Sequence, residues 1–340
     1  MGNNIVRNSS VELLRFFFMY MIVIGHIYVH GTGIDYHLIY SWGNEWTTAP
    51  HLSLFALSKV GVTGFMFISG YYGIRMNKAK WVNLLLVALF YYVVLMRGHG
   101  WQGALHPYDL WWYLSAYVVI CLLAPFIESG IQSLGEKKVR YAVIGLLFYN
   151  YVGRWISGMN SHDMVYLLAI FLFARYVKVF LPEIISKKQC LVFHYVNNHL
   201  LALTIVLGLW IVIAPVVAVR LNLSDDVIAK IVSNNNITLL MFAFLLVNSA
   251  EKYCVRLKTV NWLASSILAI YLITDFPTVR VKINPYLFPY MMEWTGHIMA
   301  LGICIGCIFI DKLRALLFYL GTIVLHKIID NFDIKKGSVN

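Results

Sequence analysis

VELLRFFFMYMIVIGHIYVH, residues 11–30, decides the fold. Twenty mostly apolar residues are what a helix needs to cross a hydrocarbon core of about 30 Å. Two functional groups stand out inside the run, Arg15 near its start and His26 near its far end. They are eleven positions apart, just over three helical turns. Both side chains therefore leave the helix on nearly the same side, separated by roughly 16 Å along its axis. Glu12 lies one turn before Arg15 on a neighbouring face, and Ser9 and Glu12 have the S-x-x-E spacing of a capping box. An arginine at this end can snorkel to lipid phosphates, and a histidine can be held by a neighbouring helix. The competing reading is an ionisable pair kept in the membrane for chemistry, because burying it is costly. His26 is too deep to snorkel, and Gly25 beside it admits close approach of another helix or a ligand.

Composition extends that reading to the whole chain. Of 340 residues, 60% are hydrophobic and only 13% charged, and mean hydropathy is +0.71. Soluble domains carry about 25% charged residues. The strand-period signal of a barrel is absent, so helices are the spanning solution. The fold class expected is all-α, a polytopic integral membrane protein. The first apolar segment is long enough to stay in the membrane, so it is read as uncleaved. Net charge is +11, which follows from loop bias and does not call for nucleic acid as a partner. Four of the five cysteines, Cys121, Cys190, Cys254, Cys304 and Cys307, fall inside or at the ends of apolar segments, which argues against a disulfide framework. Cys304-x-x-Cys307 has redox spacing, but its surroundings read as a membrane helix.

Apolar runs near residues 11–30, 55–74, 81–96, 110–127, 139–156, 164–181, 200–219, 235–250, 261–276 and 294–310 predict about ten transmembrane helices. No internal repeat and no linker divides them, so residues 1–340 form one domain with its core at 8–310. The run Leu313–Ile329 reads as a cytoplasmic interfacial helix, with a tail to residue 340. Lysine and arginine sort by alternate loops. One side holds 19 of them, among them Arg75, Lys78, Lys80, Arg175 and Lys178. The other holds Arg97, Arg154, Arg220, Lys230, Arg280 and Lys282. The positive-inside rule then puts both termini in the cytoplasm, Arg15 at the inner end and His26 toward the outer leaflet. His30, His37, His51, His99, His106 and His162 fall in outer loops without metal-ligand spacing, so they read as solvated, and no metal site is expected.

Further chemistry clusters at both ends of the spans. Lys59 sits about sixteen residues before the inner Arg75, at a depth similar to His26. There it would hold an anionic group or act on the histidine, or else snorkel outward. Gly61, Gly64, Gly70 and Gly73 form a small-residue ridge for close helix packing. Arg75, Lys78 and Lys80 form a basic cluster able to grip the phosphates of a cytosolic donor, although positive-inside bias explains it equally. Trp111, Trp112 and Tyr113 open the fourth span as an aromatic belt or a sugar-stacking platform. Asp275, one turn from Tyr271, would orient His26 or cap a helix end.

These stretches resemble a known family. NSSVELLRFFFMYMIVIGH is similar to the opening of the membrane-bound acyltransferases of family three, whose first span carries R-x(10)-H, here Arg15 to His26. KVGVTGFMFISGYYG, with Ser69, resembles the second-span F-F-x-x-S-G-F/Y signature. WWYLSAYVVICLLAPFI and LASSILAIYLITDFP resemble two later segments in the expected order. Thr274 stands where the last segment commonly has histidine, and Arg75-x-x-Lys78 matches an R-x-x-R pattern only loosely.

The resemblance implies a multi-pass protein of the bacterial plasma membrane. It would move an acyl group, usually acetyl from cytosolic acetyl-CoA, to a hydroxyl of a surface polysaccharide or its lipid-linked precursor. Acetyl-CoA or another acyl-CoA would be a donor substrate, with no bound cofactor. His26 and Arg15 would be catalytic, Lys59, Ser69, Tyr113 and Asp275 would face substrate, and Arg75 and Lys78 would contact the donor. A transporter or flippase of a glycan-assembly pathway, using His26, Arg15 and Lys59 as coupling groups, is the alternative. It calls for repeats and broken helices, which the sequence does not display.

Overall fold

In a computed structural model, residues 8–31, 49–96, 110–157, 164–186, 195–196, 198–234 and 236–337 are described. Among them every regular element is helical. In chain order these are α1 (Ser9–Gly31), α2 (Ala49–Ser58), α3 (Val60–Tyr72), α4 (Lys78–Leu95) and α5 (Trp112–Leu147). A π-helical turn (Phe148–Gly153) leads into α6 (Arg154–Ser157). There follow α7 (Met164–Ser186), α8 (Leu200–Arg220), α9 (Asp225–Ile231) and α10 (Ile237–Lys252). The last are α11 (Lys258–Ala264), α12 (Ile267–Thr274), α13 (Pro277–Leu287) and α14 (Trp294–Gly337).

Helix α1 is the hub. It packs against α2, α3, α10, α11, α12, α13 and α14. Its start is tied down by tertiary bonds and not by the expected capping box. The Asn8 side chain accepts from the Ser10 amide at 3.0 Å. The Ser9 hydroxyl instead donates to Asn261 and accepts from the Leu257 amide. Glu12 is spent on Arg15.

Glycines on α3 bring it onto two neighbours. Gly61 and Gly64 face Phe18 and Ile22 of α1, and Gly70 faces the backbone of Phe171 on α7. Gly73, at φ 72°, takes a left-handed conformation and ends the helix.

Among the described residues, six helices, or helix runs, are long and apolar enough to cross a membrane, and a bent pair brings the number to seven. The difference from the ten expected spans is local. Spans four and five fall in one continuous run, Trp112–Ser157, broken in direction at Gly135 (φ 73°, ψ 169°). The eighth corresponds to α10, which has only 16 residues. The ninth turns through 90° at residues 275–276, so that Lys258–Thr274 and Pro277–Tyr290 form an elbow. The tenth runs on into Leu313–Ile329 as one 44-residue helix. The second span begins at Ala49, not near residue 55, which places Lys59 well inside it.

Burial separates central from peripheral helices. Within the apolar window of the α2–α3 run 72% of residues are buried, against 11% for α4. Helix α4 therefore turns Leu85, Leu89 and Val93 outward, as expected of a lipid-facing helix. It is pinned by one buried polar cluster. The Tyr91 hydroxyl donates to Asp311 at 2.9 Å, and Arg314 donates to the same carboxylate at 2.7 Å.

Candidate active site

The antiparallel pair α1 and α3 creates two polar regions, one at each end. At the end marked by His26, the histidine Nε2 lies 3.6 Å from Asp275 Oδ1. Asp275 is the cap residue of α12, buried to 3% exposure at the elbow. Arg280, one turn into α13, approaches the same oxygen at 3.5 Å. The 90° elbow is what folds Arg280 back onto Asp275. Tyr271, one turn before Asp275, stands 6.1 Å from the His26 ring, centroid to centroid. His30, one turn further along α1, stands 6.0 Å from it on the other side.

Lys59 completes this group. It is 7% exposed, and its ammonium sits 3.9 Å over the Phe55 ring. The charges of Lys59 and Arg280 both act on His26. A buried lysine here is not a snorkelling one.

The two ring nitrogens of His26 differ. Nε2 faces the Asp275 carboxylate, which favours a proton on that atom. Nδ1 is buried with no hydrogen-bond partner. The nitrogen left with a lone pair is therefore Nδ1, buried and without a hydrogen-bond partner.

Arg15 marks the opposite end. It donates to Glu12 at 2.8 Å, one turn back on α1. Its charge reaches Tyr72 at the end of α3 and Tyr117 on α5. Lys178 of α7 pairs with Glu251 of α10 at 3.1 Å and lies 4.4 Å over the Tyr71 ring. Arg175 makes two 2.7 Å bonds to Glu128 and ties α7 to α5.

Between the two ends runs a line of hydroxyls. Ser69 hydrogen-bonds Tyr117, Tyr117 stacks on Tyr113 with centroids 6.2 Å apart, and the Tyr113 amide donates to the Tyr271 hydroxyl at 3.3 Å. The Tyr113 hydroxyl is buried without a partner.

The expected site residues therefore divide. His26, Lys59, Asp275 and Tyr113 come together. Ser69 is apart from them, bonded to Tyr117 in the line of hydroxyls between the two ends. Arg75 and Lys78 are exposed beyond α3, Arg75 near enough to Glu128 for its charge to be felt there. Trp111 is neither belt nor platform: it is 5% exposed, and its indole donates to the Leu272 carbonyl. His30 and His51 are helical, not solvated loop residues, and His51 bonds the Tyr28 hydroxyl at 3.0 Å. His37, His99, His106 and His162 lie outside the described residues. Sequence reasoning missed Arg280 as a site residue. It was counted only as an outer-loop charge, because nothing in the sequence marks the elbow that folds it back. Among the described residues no group of three His, Cys, Asp or Glu side chains is placed to hold a metal ion.

A protein-family model, the acyltransferase domain of the family-three type, matches residues 8–310. The chain belongs to this acyltransferase family. The match covers every helix from α1 to the first third of α14, so both polar ends and the elbow lie within the acyltransferase domain. No curated protein and no solved structure matches the chain. Membership makes this a multi-pass membrane acyltransferase.

Proposed function

We propose that this acyltransferase moves an acetyl or similar acyl group from cytosolic acyl-CoA to a hydroxyl of a surface or lipid-linked polysaccharide. In this reading the chain crosses a bacterial plasma membrane ten times, with both termini cytoplasmic. The observation that carries it is the His26 arrangement: Nε2 held toward Asp275, Nδ1 without a partner, and a cation from Lys59 beside it.

The chemistry follows from these groups. His26 Nδ1 takes the proton of the sugar hydroxyl as its oxygen attacks the thioester carbonyl. Negative charge develops on the carbonyl oxygen, and the Lys59 ammonium stabilises it. Asp275 stabilises the imidazolium. The tetrahedral intermediate collapses, the C–S bond breaks, and the departing thiolate takes the proton back from His26. The ester and free CoA are the products.

Arg15 is roughly 16 Å from this centre along α1, too far to share one small reaction site. It suits the donor instead. Arg15 holds the phosphate or pantetheine portion at the cytoplasmic end, and the acyl end extends past Ser69, Tyr117 and Tyr113. Arg75 and Lys78 lie outside that passage and make the first contact with the nucleotide.

The test uses membrane vesicles containing the protein and acetyl-CoA labelled on its acetyl group. Label should enter glycan, with CoA release, and both should stop in His26→Ala. Arg15→Ala should raise the KM for the donor. Transport of a glycan without CoA release, or full transfer by His26→Ala, refutes the proposal.

A further inference from the structure

A groove of about 760 Å³ lies away from His26, between the π-helical turn, α8 and α9, lined by Tyr151, Trp155, Trp210, Val217, Leu223 and Lys230 among others. Its walls are almost wholly apolar, and the helices forming it turn Ile156, Trp210 and Val217 outward. In a membrane such a groove opens to lipid chains.

Three features go beyond a generic lipid-facing surface. First, one cation stands in the wall. The Lys230 ammonium lies 5.2 Å over the Trp155 ring. Its partner Asp226, at 2.8 Å, is on the open side with a side chain 71% exposed. An exposed ion pair of this kind is weak, and the ammonium has further donors to offer. Second, the backbone changes to a π-helical turn where it forms the groove wall, a device that re-aims side chains and recurs at binding sites. It buries Asn150 Oδ1 and the Tyr151 hydroxyl without hydrogen-bond partners.

Third, the groove leads toward the site already described. The Tyr151 ring is 6.5 Å from that of Tyr166. The Tyr166 hydroxyl bonds Thr63 at 2.6 Å, one turn from Lys59 on α3. Tyr166 is also close enough to Tyr113 to act on it electrostatically.

We propose that this groove binds a single-chain lipid phosphate, the membrane carrier of the glycan acceptor, with its hydrocarbon chain along Trp210 and Val217 and its phosphate at Lys230. The inference rests on the acyl-transfer reading and specifies the form of its acceptor. The apolar surface continues past Trp210 into a second groove lined by Val206, Leu207 and Met241, a length suited to one long hydrocarbon chain, and Lys230 is the cation lining the first groove, placed for one phosphate.

The full-length protein in detergent is titrated with a long-chain isoprenyl monophosphate, and bound lipid is counted by native mass spectrometry. Phosphatidylglycerol is the competitor. One isoprenyl phosphate per chain should bind, and a tenfold excess of phosphatidylglycerol should not displace it. Lys230→Gln should weaken binding about tenfold, and Val217→Trp should abolish it by filling the groove. Val217 is 41% exposed, so the larger ring has room. If that variant does not accumulate, Lys230→Gln decides alone. Equal displacement by phosphatidylglycerol, no binding, or wild-type binding by Lys230→Gln overturns the proposal. No donor is present in this assay. A protein that acylates a soluble glycan yet never binds the lipid refutes this inference alone, whereas lipid binding without any CoA turnover refutes only the acyl-transfer reading.

Discussion

Replacing Gly61 by alanine should disable the site without touching any reacting group. A Cβ at residue 61 would lie 2.6 Å from the Phe18 carbonyl oxygen, 2.7 Å from Ile22 Cγ1 and 2.8 Å from the Ile22 amide nitrogen. Two of these three atoms are backbone, so no rotamer change relieves the clash. Ordinary contact begins at 3.4 Å, so α1 and α3 must part locally by about 0.8 Å, or bend to the same effect. Overpacking of this kind costs ~1–3 kcal/mol. The functional effect should exceed the stability effect. Helix α1 carries His26, α3 begins beside Lys59, and Asp275 is fixed from the elbow. A displacement near 1 Å costs on the order of 100-fold in a positioned reaction. Label transfer from acetyl-CoA in vesicles, normalised to protein, should therefore fall by about 10- to 100-fold. The melting temperature in detergent should fall by only a few degrees. Gly302→Ala is the control, because a Cβ there meets nothing within 4 Å. It should keep full activity. Wild-type transfer and an unchanged melting temperature in Gly61→Ala would refute the claim that α1–α3 contact sets the site geometry.

Three further outcomes are expected. Asp275→Asn removes the charge that faces His26 Nε2 at 3.6 Å. It should lower kcat about 10- to 100-fold with little change in donor KM, an effect smaller than the roughly 10²–10⁴-fold loss for removing the base itself. Asp311→Ala leaves Arg314 and the Tyr91 hydroxyl buried without their shared partner. It should destabilise the protein by about 3 kcal/mol, visible as early release of α4 in limited proteolysis. Arg175→Gln loses both bonds to Glu128, whose carboxylate is partly exposed. It should cost ~1–2 kcal/mol in thermal stability while leaving transfer per folded molecule near wild type.

By itself the sequence determined the class of molecule and its chemical vocabulary. Sixty per cent hydrophobic residues in apolar runs of membrane length leave only helices as a solution, because lipid satisfies no backbone group. The periodicity of one helix placed Arg15 and His26 on one side, well separated in depth, and the second-span glycines announced close packing. These are local properties, set by spacing along one element.

The tertiary structure decided which groups meet. That Lys59 is buried with its charge felt at His26 depends on α2 and α3 running on as one span from Ala49. That Asp275 and Arg280 share one oxygen depends on a 90° elbow between α12 and α13, at a Phe276-Pro277 step that sequence reading took as the end of a straight span. Gly135 and the π-helical turn likewise set directions that hydropathy does not record, since hydropathy measures how apolar a segment is and not where its axis points. The placement of side chains follows from these directions: Ser69 bonds Tyr117, Trp111 is buried in packing, and Asp275 stands at Nε2 of His26 and not at Nδ1.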